Sequence, residues 1–206
     1  MSRWERIFFD TDSRGFRRSF RMRKAIGAVV FFLSFILSMA AQQQALDLSG
    51  SPKDPLKETP GKVVVLVFVR TDCPISNRYA PLLQEMSVKY GSEAVFWLVF
   101  PDKNASPENI RSYLQEFNYK LPALRDTEHF LVKKTGAKVT PEAAVFNLKR
   151  DLVYHGRIDD LYREFGKARR AATTHELADA IEAARKGVAP PSAAAEGIGC
   201  FISDLK

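Results

Sequence analysis

Val63-Val64-Val65-Leu66-Val67-Phe68-Val69 is an unbroken apolar run made mostly of β-branched residues, and Ala94-Val95-Phe96-Trp97-Leu98-Val99-Phe100 is a second. Runs this short and this continuous predict strands covered on both faces, as in the middle of a parallel sheet. Between them Tyr79, Leu82, Leu83 and Met86 recur at helical spacing. Strand, helix, strand makes a crossover unit, right-handed by default. Ser106-Pro107 then supplies an N-cap and a first helical residue, with Ile110, Tyr113, Leu114 and Phe117 as the apolar face. A short helix is expected from Asp126 to Thr135, ended by Gly136. Ala143–Leu148 and Leu152–His155 flank a turn at Lys149-Arg150-Asp151 and predict a hairpin. Thr174 is expected to cap a last helix presenting Leu177, Ala180, Ile181 and Ala184. This order predicts an α/β sandwich, with a sheet between layers of helices.

The net charge of +7 suggests a nucleic-acid partner until it is located. Of 31 Lys and Arg, eight lie in residues 1–41, against three of the 24 acids. The remaining chain carries 23 basic and 21 acidic residues, too balanced to favour a phosphate backbone. The basic cluster precedes an apolar stretch, Ala25 to Ala41, with small residues at Ser38-Met39-Ala40. This is the layout of a secretory signal peptide. An uncleaved membrane anchor over residues 25–41 is the alternative, and the positive-inside rule again exports the chain beyond it. Met22-Arg23-Lys24 offers a second start to the same signal. The division expected is 1–41 signal or anchor, 42–60 a Pro-containing linker, 61–187 the folded domain and 188–206 a tail. The expected location is extracytoplasmic, periplasmic or tethered to the inner membrane.

The chain has two cysteines, Cys73 and Cys200. Cys73 comes after the first strand in Arg70-Thr71-Asp72-Cys73-Pro74-Ile75-Ser76, at the start of the next helix. Unpaired N–H groups and the helix dipole favour thiolate there, and thiolate is the nucleophile. A small buried hydrophobe is the plain alternative for such a cysteine.

The strand–cysteine–helix turn, Pro81 eight residues later, and Gly136-Ala-Lys-Val-Thr140-Pro141 ahead of a strand together resemble the thioredoxin-like superfamily, in particular its exported TlpA-like and AhpC/TSA-like redoxins. The resemblance covers about residues 60–187. It implies a three-layer sandwich, a central mixed sheet flanked by helices. It also implies thiol–disulfide exchange by Cys73 with no cofactor, and a cis Pro141 facing that cysteine. Pro74, Thr140 and Pro141 would bind substrate, with the Thr140 backbone pairing to an extended segment. The expected partner is a protein or small-molecule thiol or disulfide.

The departure is Ser76, where these enzymes carry a second cysteine. Ser76 cannot resolve a mixed disulfide. Cys200 is the only other thiol, on a glycine-containing tail, and loop-closure entropy grows only slowly with length. A Cys73–Cys200 disulfide is therefore one expectation, and an unpaired tail thiol the other. Two further functions stay open. A peroxide-reducing redoxin would place Thr or Ser three residues before the cysteine, where Arg70 stands. A non-catalytic module could hold a partner or metal. Metal is disfavoured, because the histidines His129, His155 and His175 have no second nearby cysteine. Arg70 reads as a cation acting on Cys73 or, more simply, as a solvated strand-end charge. Asp159 and Asp160, in a long loop from Gly156 to Thr173, read as caps or as partner ligands.

Overall fold

The computed structural model describes residues 44–203 and 205. The signal or anchor expected over 1–41 lies outside the described residues. Among the described residues, no helix is long and apolar enough to cross a membrane.

Twelve strands and five helices are assigned to the described residues. The central strand is β3 (Val63–Phe68), fully buried along its length. It pairs in parallel with β4 (Ala94–Phe100), Val63 opposite Ala94 through Phe68 opposite Val99. β4 pairs in parallel with β5 (Ala123–Arg125). On the other side β3 runs antiparallel to β7 (Glu142–Phe146), and β7 to β8 (Leu152–Gly156). A mixed eight-stranded sheet results, completed at one edge by β11 (Ala194–Ala195). At the other edge it is completed by β1 (Ala45–Leu46) and β2 (Pro52–Lys53).

Alternation along β3 sends Val63, Val65 and Val67 to one face and Val64, Leu66 and Phe68 to the other, as a two-residue period requires. The first face is covered by α2 (Pro74–Tyr90), α3 (Pro107–Glu116) and α5 (Glu176–Lys186) through residues such as Leu83, Ile110 and Ile181. The second is covered by α1 (Pro55–Glu58) and α4 (Phe130–Thr135) through Leu56, Leu131 and Val132. The fold is a three-layer α/β sandwich with a central mixed sheet. Both apolar runs form strands because only there can every side chain leave water. Leu66→Ala should cost about 2–5 kcal/mol of stability, since Leu66 is fully buried and its neighbours cannot close the gap. Chemical denaturation would show it as a lower midpoint with an unchanged slope.

Three sequence expectations are corrected. Residues 45–58 are no linker: β1 pairs antiparallel with both β2 and β5, and Asp54 caps α1 by accepting from the Leu56 N–H at 3.1 Å. Prolines suggested a lead-in there, but Pro52 sits in the terminal strand of the sheet and Pro55 at a helix start, where no N–H is missed. The long loop after Gly156 contains a hairpin, β9 (Tyr162–Glu164) and β10 (Lys167–Ala168), turned by Gly166 at φ +77°. The N-cap of α5 is His175, not Thr174, and its side chain makes no capping bond. Thr174 instead donates its hydroxyl to Glu176 at 2.8 Å.

The tail is no free extension either. β11 lies parallel to β8, and its approach is possible only because position 156 is glycine. A Cβ there would stand 1.9 Å from the Ala195 carbonyl oxygen, and φ is +142°. Beyond β11 the chain forms β12 (Cys200–Phe201), which pairs antiparallel with β6 (Val139–Thr140).

Candidate active site

Cys73 is the N-cap of α2, in extended backbone, with Pro74 at the first helical position. Strand β3 delivers it and the helix begins under it. Its side chain is fully buried and donates to the Thr140 carbonyl at 3.1 Å. The Thr140–Pro141 peptide bond is cis. The structure thus brings together Cys73, Pro74, Ser76, Thr140 and Pro141, and it adds Cys200.

Cys200 arrives by backbone pairing. It stands opposite Thr140 in the β6–β12 ladder, and the Thr140 hydroxyl donates to the Cys200 carbonyl at 3.4 Å. Gly199 permits the approach: a Cβ there would meet the Thr140 carbonyl oxygen at 1.9 Å. On the far side of β12, Arg70 donates to the Phe201 carbonyl at 3.2 Å. Arg70 is itself held by Asp72 at 2.8 and 3.0 Å and by Asp102 at 3.5 Å. The solvated strand-end charge expected from the sequence is instead a clamp on the tail. Beneath the ladder the buried Glu142 carboxylate accepts from the Lys138 and Val139 N–H groups at 2.6 and 3.2 Å. Those bonds hold the turn into β6 in shape. Both thiols are free, and both meet Thr140: Cys73 donates to its carbonyl, and Cys200 stands opposite it in the ladder.

The electrostatics separate the two sulfurs. Burial raises the Cys73 pKa, but hydrogen bonds from the Cys200 and Ser76 side chains, and from the backbone of both residues, lower it by more. The net direction is down from an ordinary thiol. The Ser76 N–H is one of the unpaired donors of a helix start, so the helix N-terminus contributes directly. The Ser76 hydroxyl is buried and bonded to no other group, which leaves it free to turn toward a thiolate. Cys200 moves the other way. Burial, then the hydrogen bond to Cys73 and the charge on it, push it up to about 12. Of the two, Cys73 is the thiol that ionises first. The bond to Thr140 belongs only to protonated Cys73.

Both donors can be tested. Ser76→Ala and Cys200→Ala each remove a bond that only the thiolate accepts. Each should shift the pH midpoint of Cys73 alkylation upward, toward an ordinary thiol. Alkylation rate against pH, with peptide mapping, reads the shift.

The carboxylates singled out in the sequence serve the loop behind the site. Asp159 is buried, accepts from the Tyr79 hydroxyl and accepts from the Leu161 N–H at 2.9 Å. Asp160 accepts from the Thr173 N–H and hydroxyl, both at 2.5 Å, and from the Thr174 N–H at 3.0 Å. These bonds hold the Asp160 carboxyl far below the usual carboxylate range. His129 is buried against the Pro101 carbonyl at 3.0 Å. Among the described residues, no group of three or more His, Cys, Asp and Glu could hold a metal. The roles of Arg70, Glu142 and Gly199 were missed from sequence. Only the glycine gave a signal, and it says nothing about what the chain approaches.

Comparisons with known proteins bear on the fold. Residues 61–152 match a family model described as thioredoxin-like. A hypothetical protein from Sinorhizobium meliloti 1021 is similar in structure, with 23% identity and TM-score 0.65, over 77% of this chain and 88% of that one. An uncharacterized conserved protein from Geobacillus kaustophilus gives 21% identity and TM-score 0.63, over 78% and 89%. A secreted Mycobacterium tuberculosis disulfide oxidoreductase aligns over 54% of this chain and 80% of its own, with 22% identity and TM-score 0.46. No curated protein matches the sequence. The described domain thus has a thioredoxin-like fold, and the family match lies within residues 61–152.

Proposed function

We propose that this protein is an exported thiol–disulfide redoxin in which Cys73 is the nucleophile and Cys200 the resolving thiol. The observation that carries the reading is the pairing of the tail against Thr140, which sets Cys200 opposite the residue whose carbonyl Cys73 meets at 3.1 Å. Cys73 supplies the thiolate, favoured by the start of α2. After Cys73 attacks a substrate disulfide, Cys200 attacks the Cys73 sulfur of the mixed disulfide. The Cys73–Cys200 bond forms, and the substrate leaves as thiol. The substrate is reduced by two electrons and the protein dithiol oxidised by two. Ser76 acts as a positioning donor to the thiolate, and Pro74, Thr140 and Pro141 form the dock, which a substrate disulfide reaches when β12 lifts from Thr140.

Export rests on the basic and apolar pattern of residues 1–41, as a cleaved signal or as an anchor. Neither a metal nor a cofactor enters the proposed chemistry.

Peptide mass mapping under non-reducing conditions tests the pairing. After mild oxidation of the reduced protein, one linked peptide pair containing Cys73 and Cys200 is expected. Two alkylatable thiols would refute it.

A further inference from the structure

A mixed disulfide at Cys73 is the usual route into a redoxin, but while β12 is paired that route is covered. Cys73 is 0% exposed, and the Thr140 edge that a substrate strand would use is taken by β12. Cys200 is the half-buried member of the pair. It also lines a cavity of about 850 Å³, within the range of small-ligand sites. The cavity is walled by Val139, Lys138, His155 and Ile198, with Phe165 from the β9–β10 turn and Phe201 beside Cys200. Both phenylalanines are largely exposed, 63% and 78%, although each has apolar surface to hide.

We propose that a low-molecular-weight thiol docks in this cavity and reduces the oxidised protein by attacking Cys200, so that the covalent adduct forms on the tail and not on Cys73. The inference rests on the Cys73–Cys200 pairing proposed above. The incoming thiolate bonds to Cys200 Sγ, the Cys73–Cys200 bond breaks, and its electron pair leaves on Cys73 Sγ as thiolate. A second thiol molecule attacks the ligand sulfur of the adduct, forming the small-molecule disulfide. Cys200 departs as thiolate and takes a proton from water. Two thiols are oxidised to one disulfide, and the protein disulfide is reduced to two thiols. Position and leaving group favour the same sulfur. Cys200 is the sulfur within reach, and Cys73, whose charged form the helix start stabilises, is the better group to expel. The cavity wall made by β12 moves with Cys200, so docking and chemistry share one element.

The test uses the oxidised full chain and glutathione as the probe, with acid quenching at successive times and peptide mass mapping. A transient glutathione adduct on Cys200, preceding any on Cys73, is expected. Phe165→Ala, at an exposed turn remote from the core, should slow the reduction about tenfold. It should leave reduction by tris(2-carboxyethyl)phosphine, which needs no thiol dock, unchanged. An adduct appearing first on Cys73 overturns the proposal. So does a Phe165→Ala protein that glutathione reduces as fast as the unaltered one. If no Cys73–Cys200 bond forms on oxidation, the proposed function fails at the preceding step, before glutathione is added.

Discussion

Adding one methyl group at Gly199 is expected to uncover Cys73. In Gly199→Ala the new Cβ would stand 1.9 Å from the Thr140 carbonyl oxygen and 2.6 Å from its carbon. Real Cβ atoms do not approach backbone so closely, and neither partner is a flexible side-chain end. Thr140 is fully buried, so the tail is the part that must give. Losing the β6–β12 pairing should raise Cys73 alkylation by about 10–100-fold, the effect of removing about 1.4–2.8 kcal/mol of local closure. The rate should be read above the pKa of Cys73 in both proteins, because losing Cys200 also removes a bond that favours the thiolate. Disulfide formation should fall in parallel. Alkylation as slow as in the unaltered chain would show that the tail does not mask the site. Global stability should change little, because the main sheet does not include β12.

Cys73→Ser should remove disulfide exchange, by more than about a thousandfold, as expected when the sole nucleophile is lost. A serine hydroxyl at a helix start stays protonated, while the thiolate at the same place is the attacking species. The contrast with Cys200→Ser is the informative part. That variant keeps Cys73, and should still attack a disulfide but stall as the mixed disulfide on Cys73. Mass spectrometry of the trapped adduct separates the two roles. Exchange by Cys73→Ser at the normal rate would assign the nucleophile to Cys200 and sink the proposed division of labour.

How much of this was legible in the sequence depends on the kind of interaction. Val63–Val69 and Ala94–Phe100 announced central strands because burial on both faces leaves a composition signal. The helix over 107–116 was legible because Ser106 and Pro107 are local devices, and Ser106 does accept from the Asn109 N–H at 3.2 Å. The strands of residues 45–53 were not legible. Two-residue strands have no periodicity, and what makes them strands is the edge of β5, more than seventy residues on. Arg70 was misread for the same reason. A guanidinium at a strand end is usually solvated, and nothing local reveals that Phe201 will return a carbonyl to it.

The sequence by itself determined an α/β sandwich and a thiol at a helix start, because periodicity, capping and strand burial are written in neighbouring residues. It also presented Cys200 as the only other thiol, without fixing where that thiol lies. The tertiary structure alone decided that the tail turns back as β12 onto Thr140, covers Cys73 and brings both cysteines to the same residue. That outcome depends on residues far apart in the chain, Gly156 under Ala195, Gly199 against Thr140 and Arg70 on Phe201. Each pair fits only because the folded backbone has already placed its partner.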